Sequence, residues 1–183
     1  MKFFKLLVFV ILTTMVSTAF AQKKGSNFNL KNAVIVGQFD KQEDRYSLEA
    51  TITQMFTGAG IKAMPSLNLV KVGEDAARLA GDSLQTIAKE KGFDTYIIVY
   101  VRGYDKKFKP STTPLTFKEA LERGSLYSIY ELDIVSVTFE FRVYRNGEFV
   151  GVDMIKCGGG DGRDSVLRKL RKQIEKRLKK SWR

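Results

Sequence analysis

The sequence predicts an α/β fold, with a single mixed β-sheet of about four strands and about three helices packed on it. Two observations support this fold class. Apolar runs rich in β-branched residues alternate along the chain with stretches of helical periodicity. Residues 135–145 alternate between apolar and polar side chains, and Asn146-Gly147 follows them as a two-residue hairpin turn.

The first strand and helix lie between residues 33 and 66. Residues 33–39 (AVIVGQF) form a short apolar run that indicates a buried strand. Apolar side chains then recur at helical spacing over residues 48–59, and Gly60 can end this helix in a left-handed cap. The Met-Pro-Ser tripeptide at 64–66 predicts a break.

A second helix and a second strand follow. Residues 75–91 show helical periodicity up to Gly92, although Gly81 weakens the helix and favours two shorter pieces. Residues 95–101 (TYIIVYV) are almost all apolar, which is typical of a strand covered on both faces.

Residues 102–131 are less regular, and they predict a long surface excursion with one short helix at 117–123. We predict that its aromatic side chains are available to a protein partner, with an exposed sheet edge as the alternative route of binding. The candidate partner-binding residues are Tyr104, Phe108, Phe117, Tyr127 and Tyr130.

The Asn-Gly turn predicts the register of the hairpin, because a two-residue loop fixes which residues lie opposite each other. It pairs Arg145 with Glu148, Val143 with Val150, Phe141 with Val152 and Phe139 with Met154. The apolar side chains of both strands then share one face. Glu140 lies opposite Asp153 on the other face, which we expect to be a charge-compensated outer surface.

The last helix is amphipathic. Asp164 or Ser165 can cap its start, and its apolar stripe comprises Val166, Leu167, Leu170, Ile174 and Leu178. The opposite, basic face either is simply solvated or binds anionic lipid headgroups, lipopolysaccharide phosphates or an acidic protein. The candidate residues for binding an anionic surface are Arg168, Lys169, Lys172, Lys176, Lys179 and Lys180, with Trp182 at the edge of that face.

The N-terminus has the pattern of an export signal. Two lysines precede a mostly apolar run at 6–16, and an A-x-A cleavage site follows. This run is too short to cross a bilayer. We expect a signal peptide over residues 1–21, cleaved between Ala21 and Gln22, and a periplasmic or secreted location.

The expected mature chain begins with a flexible leader at 22–32, and a single α/β domain follows at 33–183. Because Gln22 stands where a lipid-anchored protein needs a cysteine, we expect a soluble protein. The net charge of +11 comes mainly from residues 163–183, where ten basic and two acidic side chains give +8. Nucleic acid is not an expected partner outside the cytoplasm.

Several chemistries are excluded by composition. The chain contains no histidine and one cysteine, Cys157, so it lacks histidine-dependent nucleophiles and cysteine-cluster metal sites. We predict no metal, no cofactor and no enzymatic activity. Carboxylate pairs such as Glu131 with Asp133 leave open a carboxylate-based hydrolase. Cys157 is expected to be buried, with an intermolecular disulfide or a reactive thiol as alternatives.

The order of these segments resembles a group of small α/β envelope domains. The resemblance is carried by AVIVGQF, TGAGIKAM, AKEKGFDTYIIVYVRG, the hairpin VTFEFRVYRNGEFVGVDMI and the helix DSVLRKLRKQIEKRL. It is a resemblance to the N-terminal part of the Tol-Pal translocation β-propeller protein, the curli secretion channel subunit and the activator lipoproteins of penicillin-binding proteins. It covers most of residues 33–180 and implies a non-enzymatic envelope domain that binds other proteins, without a transferable site motif.

Two hypotheses of function follow. The first is an exported, soluble, non-catalytic envelope protein that serves as a protein-interaction module. The alternative is a peripheral protein that binds anionic membrane or lipopolysaccharide surfaces through the basic C-terminal helix.

Overall fold

The computed structural model describes residues 27–39, 41–104, 114–125, 127, 129, 136–158 and 162–183. The predicted signal peptide, the first part of the leader and the carboxylates at 131 and 133 lie outside the described residues.

A five-stranded mixed sheet forms the centre of the described fold, with strand order β2-β1-β3-β4-β5. The strands are β1 (Asn32–Gly37), β2 (Lys62–Pro65), β3 (Thr95–Gly103), β4 (Ser136–Arg145) and β5 (Glu148–Gly158). β1 runs parallel to both β2 and β3, whereas β4 is antiparallel to β3 and to β5. The predicted mixed sheet is confirmed, with one strand more than expected.

The additional strand is β2, where the sequence predicted a break. Residues 62–65 pair in parallel with residues 32–35 of β1. Proline lacks a backbone N–H and is therefore tolerated mainly on an edge strand, and β2 is the edge of this sheet. The break predicted at residues 64–66 lies at the end of this strand, where Pro65 closes β2 and a 3₁₀ turn begins at Ser66, but the strand itself was not predicted.

Helices cover both faces of the sheet. They are α1 (Gln42–Gly58), α2 (Asp82–Glu90), α3 (Phe117–Glu122) and α4 (Arg163–Arg177), which continues as a π-helical turn over Leu178–Trp182. The apolar residues of α1 and α4 join one core cluster, and those of α2 and α3 join the cluster on the opposite face. As predicted, Gly81 divides the second helical region, separating a 3₁₀ turn (Ala76–Ala80) from α2.

The hairpin between β4 and β5 has the predicted turn but not the predicted register. Asn146 and Gly147 both have positive φ, at 52° and 82°, as the turn requires. A β-bulge between Val143 and Tyr144 then shifts the pairing by one residue, so that Phe139 lies opposite Ile155. A shift of one residue exchanges the faces of a strand. Ile155 and Cys157 therefore enter the core in place of the residues expected there.

Trp182 closes the core at the end of the chain. Its ring lies 5.1 Å from Phe141, 5.9 Å from Phe28 and 6.0 Å from Phe56, measured between centroids. The indole Nε1 donates a hydrogen bond of 2.9 Å to Asp153. The edge-of-face position predicted for Trp182 is therefore wrong, since this side chain is only 1% exposed.

The π-helical turn explains the inward position of Trp182. In a regular α-helix, at about 100° per residue, residue 182 would lie about 80° around the axis from the core-facing Ile174. The π-helical turn over residues 178–182 has more residues per turn, so each residue rotates by less than 100° about the axis. Trp182 therefore lies on the same side of the helix as Ile174, towards the core. An amphipathic pattern assumes a constant period, so it could not place this residue correctly.

The N-terminal residues pack on the same C-terminal turn. The N–H of Phe28 donates to the carbonyl of Ser181 at 3.1 Å, and the N–H of Leu30 donates to the carbonyl of Trp182 at 2.8 Å. Both side chains are 2% exposed. The predicted flexible leader is thus wrong for its last part, because Phe28 and Leu30 belong to the core.

We expect Trp182→Ala to lower the free energy of unfolding by about 3–5 kcal/mol, since it removes a large buried ring and leaves a cavity. Urea denaturation followed by circular dichroism measures this loss. Tyr46→Ala is the matched control, because Tyr46 is 65% exposed and a surface aromatic contributes within about 0.5 kcal/mol. A Trp182 variant as stable as the control would contradict the core position of the indole.

Candidate functional site

Of the five aromatic residues predicted to bind a partner, Phe117 is buried, whereas Tyr127 is 41% exposed. Phe117 lies in the core, 5% exposed, with its ring 4.7 Å from that of Tyr96 and 5.4 Å from that of Tyr144. Tyr104 is partly buried and contacts the ring of Tyr127 edge-on at 5.4 Å. Phe108 and Tyr130 lie outside the described residues.

A capping box explains the inward position of Phe117. Thr116 accepts a hydrogen bond from the N–H of Glu119 at 3.2 Å, and Glu119 accepts one from the N–H of Thr116 at 2.8 Å. This reciprocal cap starts α3 at Phe117 and turns the ring towards the sheet. The prediction that Phe117 is available to a partner is therefore wrong.

The edge strand β5 is protected by basic side chains of α4. Lys169 donates a hydrogen bond to the carbonyl of Gly158, and Arg177 donates one to the carbonyl of Met154 at 3.5 Å. Arg177 also forms an ion pair with Asp153 at 2.8 Å. Charged side chains on an edge discourage pairing with another strand. Lys169, predicted to bind an anionic surface, instead contacts the backbone of its own chain.

Two further basic residues attach α4 to α1. Arg163 forms an ion pair with Asp44 at 2.6 Å, and Arg171 lies 3.4 Å from the hydroxyl of Thr51. The cations at one side of α4 are therefore used for docking the helix within the fold.

The remaining cations of α4 point to solvent and form what we call the cationic face. Its members are Arg168, Lys172, Lys176, Lys179, Lys180 and Arg183, all exposed. Within the described parts of the chain, none of them forms an ion pair. Apart from the adjacent Lys179 and Lys180, they recur every three or four residues over about 20 Å of helix. Like charges at this spacing destabilise a helix by about 0.2–0.5 kcal/mol per pair, whereas Glu175 and the negative end of the helix dipole offset part of this repulsion.

A groove between α1 and α4 lies beside the cationic face. Its floor is apolar and is formed by Met55, Ala59 and Leu178, and the volume is about 730 Å³. Gly58 lines one side of the groove without a side chain, and no atom lies within 4 Å of the position that its Cβ would take. Lys179 and Arg183 line its mouth together with one carboxylate, Glu175. We refer to this feature as the α1–α4 groove.

A buried carboxylate, Glu49, joins β1, α1 and the end of β2. Its oxygens accept hydrogen bonds from the N–H of Gly37 at 2.9 Å, from the Ser66 hydroxyl at 2.7 Å and from Arg45 at 3.0 Å. The side chain is fully buried. A buried charge is tolerated when it is paired and hydrogen-bonded in this way, so Glu49 has a structural role.

The second buried carboxylate corrects a further expectation. Glu140 was predicted on an outer face opposite Asp153, but it lies opposite Met154 and is fully buried. It forms ion pairs with Arg142 and, at 3.0 Å, with Arg102. The bulge next to Val143 causes this difference, because it moves Asp153 to the opposite face of the hairpin.

Within the described ranges, no three acidic or cysteine side chains lie close enough to hold a metal ion. Cys157 is buried, as predicted. Burial raises the pKa of its thiol to about 12, and the nearby charge of Lys169 opposes this only in part. The thiol is therefore protonated at neutral pH, and it does not supply a nucleophilic thiolate.

None of the helices in the described ranges combines the length and apolar composition that crossing a bilayer requires. No protein-family model matches the sequence, and no curated protein is significantly similar to it.

The described fold is similar to several solved structures at low identity. PelC from Paraburkholderia phytofirmans, solved as a dodecamer, is 14% identical with a TM-score of 0.47, over 86% of this chain and 91% of that one. A dodecamer of a PelC variant from the same organism gives the same identity and TM-score, over 86% and 92%. Lipoprotein GNA1162 from Neisseria meningitidis is 12% identical with a TM-score of 0.45, over 82% and 98%. We transfer no property from these proteins, because the similarity is confined to the general fold.

We expect Cys157 in the native protein to react with a thiol reagent at pH 8 at least a hundredfold more slowly than an exposed cysteine, since it is buried and protonated. The absorbance of the released thionitrobenzoate measures the rate at which the thiol reacts. A Tyr46→Cys, Cys157→Ser variant supplies the exposed thiol for comparison. Equal rates in the two proteins would exclude a buried, structural Cys157.

Proposed function

We propose that this chain is an exported, non-catalytic binding module, and that the cationic face of α4 engages anionic envelope surfaces outside the cytoplasm. The observation that carries this proposal is the set of six exposed cations without an ion-pairing carboxylate among the described residues. Because these cations form no ion pair within the described parts of the fold, contact with an external anionic surface accounts for their clustering on one face of the helix.

The neighbouring surface favours a flat, anionic partner. The exposed residues in the middle and last turns of α1 are uncharged, and they include Ala50, Gln54 and Thr57. Contact with a membrane surface would therefore bring few carboxylates to the bilayer, since Asp164 and Glu175 are the acidic residues of α4 and both are outnumbered by the exposed cations. Each basic side chain held near an anionic bilayer contributes about 1 kcal/mol, so several together can give measurable attachment.

A protein partner is the second candidate, and a different observation favours it. Val72 and Tyr46 are 69% and 65% exposed, and both line one groove with Phe39 and Leu67. Apolar side chains gathered in an exposed patch often mark an interaction surface. The patch is a second candidate site for the predicted protein-interaction module, beside the aromatic excursion, from which burial removes only Phe117.

We expect the triple variant Lys172→Glu, Lys176→Glu, Lys179→Glu to bind anionic vesicles at least tenfold more weakly than the wild type, because it reverses three charges of the cationic face. Sedimentation with phosphatidylglycerol vesicles at low salt measures binding. The wild type should also lose affinity as salt is raised, since exposed charges are screened within about 8 Å at physiological ionic strength.

The matched control reverses three exposed lysines elsewhere: Lys71→Glu, Lys89→Glu, Lys91→Glu. This control has the same net charge as the test variant. A difference in vesicle binding between the two therefore reports where the charges lie and not the total charge. Equal binding by the two triple variants would overturn the proposed role of the cationic face. Circular dichroism establishes that both remain folded.

We expect export to yield a mature chain that begins at Gln22, because the A-x-A site ends at Ala21. Mass spectrometry of the protein recovered from its native cell envelope measures the N-terminus. A chain that retains Met1 in the cytoplasm would contradict the proposed location, and an acylated N-terminus would contradict the expected absence of a lipid anchor.

A further inference from the structure

We infer that the α1–α4 groove holds the acyl chain of an anionic lipid, while Lys179 and Arg183 at its mouth bind the anionic headgroup. The inference rests on the proposed attraction of the cationic face to anionic surfaces, and it adds a specific site for one lipid molecule. It changes the expected binding mode from a purely electrostatic, salt-sensitive contact to one that also buries hydrocarbon.

The shape and lining of the groove suit a hydrocarbon chain. Its volume of about 730 Å³ lies within the usual range for small-molecule sites. Met55, Ala59 and Leu178 form the floor, and the methionine side chain adapts readily to the shape of an apolar ligand. The absence of a side chain at Gly58 keeps the groove open, and a Cβ added there would meet open space.

The charges at the mouth suit a phosphate headgroup. Arg183 lies across the end of α1, with a guanidinium nitrogen 3.8 Å from the position of a Cβ on Gly60. A guanidinium can bind a phosphate through two parallel hydrogen bonds, and Lys179 adds a second positive charge beside it. Both cations belong to the exposed cationic face and have no carboxylate partner among the described residues.

Two features oppose an anion at this position, and both are outweighed. Glu175 is a carboxylate in the lining, but two cations, Lys179 and Arg183, line the groove with it. The C-terminus of α1 carries partial negative charge. Its last carbonyl groups already accept hydrogen bonds from the N–H groups of Ala59, Gly60 and Ile61, which reduces this effect.

Charge complementarity distinguishes an anionic lipid from other occupants. A second copy of this chain would bring its own basic C-terminal segment, and an apolar peptide would leave Lys179 and Arg183 without a counter-ion. An anionic amphiphile satisfies the apolar floor and the basic mouth together. The groove also opens beside the face that is proposed to approach the membrane, so a lipid could enter directly from the bilayer.

The test measures binding of a soluble anionic amphiphile to the full-length mature protein. Dodecyl phosphate below its critical micelle concentration is the probe, and isothermal titration calorimetry gives the affinity and stoichiometry. We expect one dodecyl phosphate per chain. Inorganic phosphate, which lacks the chain, and dodecyl maltoside, which lacks the charge, should each bind at least tenfold more weakly.

Gly58→Leu fills the groove and should weaken dodecyl phosphate binding at least tenfold. Gly124→Leu is the matched control, because a Cβ there also meets open space, far from the groove in sequence, and it should bind as the wild type does. Arg183→Glu should weaken dodecyl phosphate but not dodecyl maltoside. Thermal unfolding of each variant establishes that the fold is retained.

Equal affinity of Gly58→Leu and wild type for dodecyl phosphate would overturn the lipid site. So would tight binding of inorganic phosphate alone, or a dimer of the wild type that Gly58→Leu dissociates. The role of the cationic face is decided separately, by vesicle sedimentation of the lysine variants. Vesicle binding that is salt-sensitive and unaffected by Gly58→Leu would reject the groove while leaving the cationic face in place.

Discussion

The packing of Trp182 against Phe28, Phe56 and Phe141 is the contact on which the rest of this fold depends. It joins the two ends of the described chain, because Phe28 and Leu30 also hydrogen-bond to the backbone of the last turn. It fixes the rotation of α4 about its own axis as well. Once the tryptophan and the apolar stripe face the sheet, the exposed cations of α4 can only face solvent.

The basic residues of α4 divide into two groups with different physical roles. Arg163 and Arg177 form ion pairs with acids on α1 and β5, so their charges stabilise the position of the helix. The members of the cationic face have no such partners in the described part of the chain, and they repel one another. A net charge of +8 in the last 21 residues is therefore only partly engaged in ion pairs within the described fold, and the remaining cations are exposed to solvent.

Buried charge in this protein adds polar links between elements that also share the apolar core. Glu49 links β1, α1 and the chain after β2, while Glu140 pairs with two arginines on the side of the sheet covered by α2 and α3. Both carboxylates are fully buried and engaged by donors of their own chain. Their environment is that of structural ion pairs, which resist replacement because loss of one partner leaves an uncompensated charge.

The sequence by itself determined the fold class, the Asn146-Gly147 turn, the division at Gly81 and the identity of the basic helix, because each depends on local spacing or backbone preference. Only the tertiary structure decided which cations are free, where Trp182 points and which residues face each other in the hairpin. These depend on a π-helical turn, a β-bulge and acidic partners distant in the sequence. A periodic pattern assumes a constant repeat and gives no information about neighbours in space, so it could not provide them.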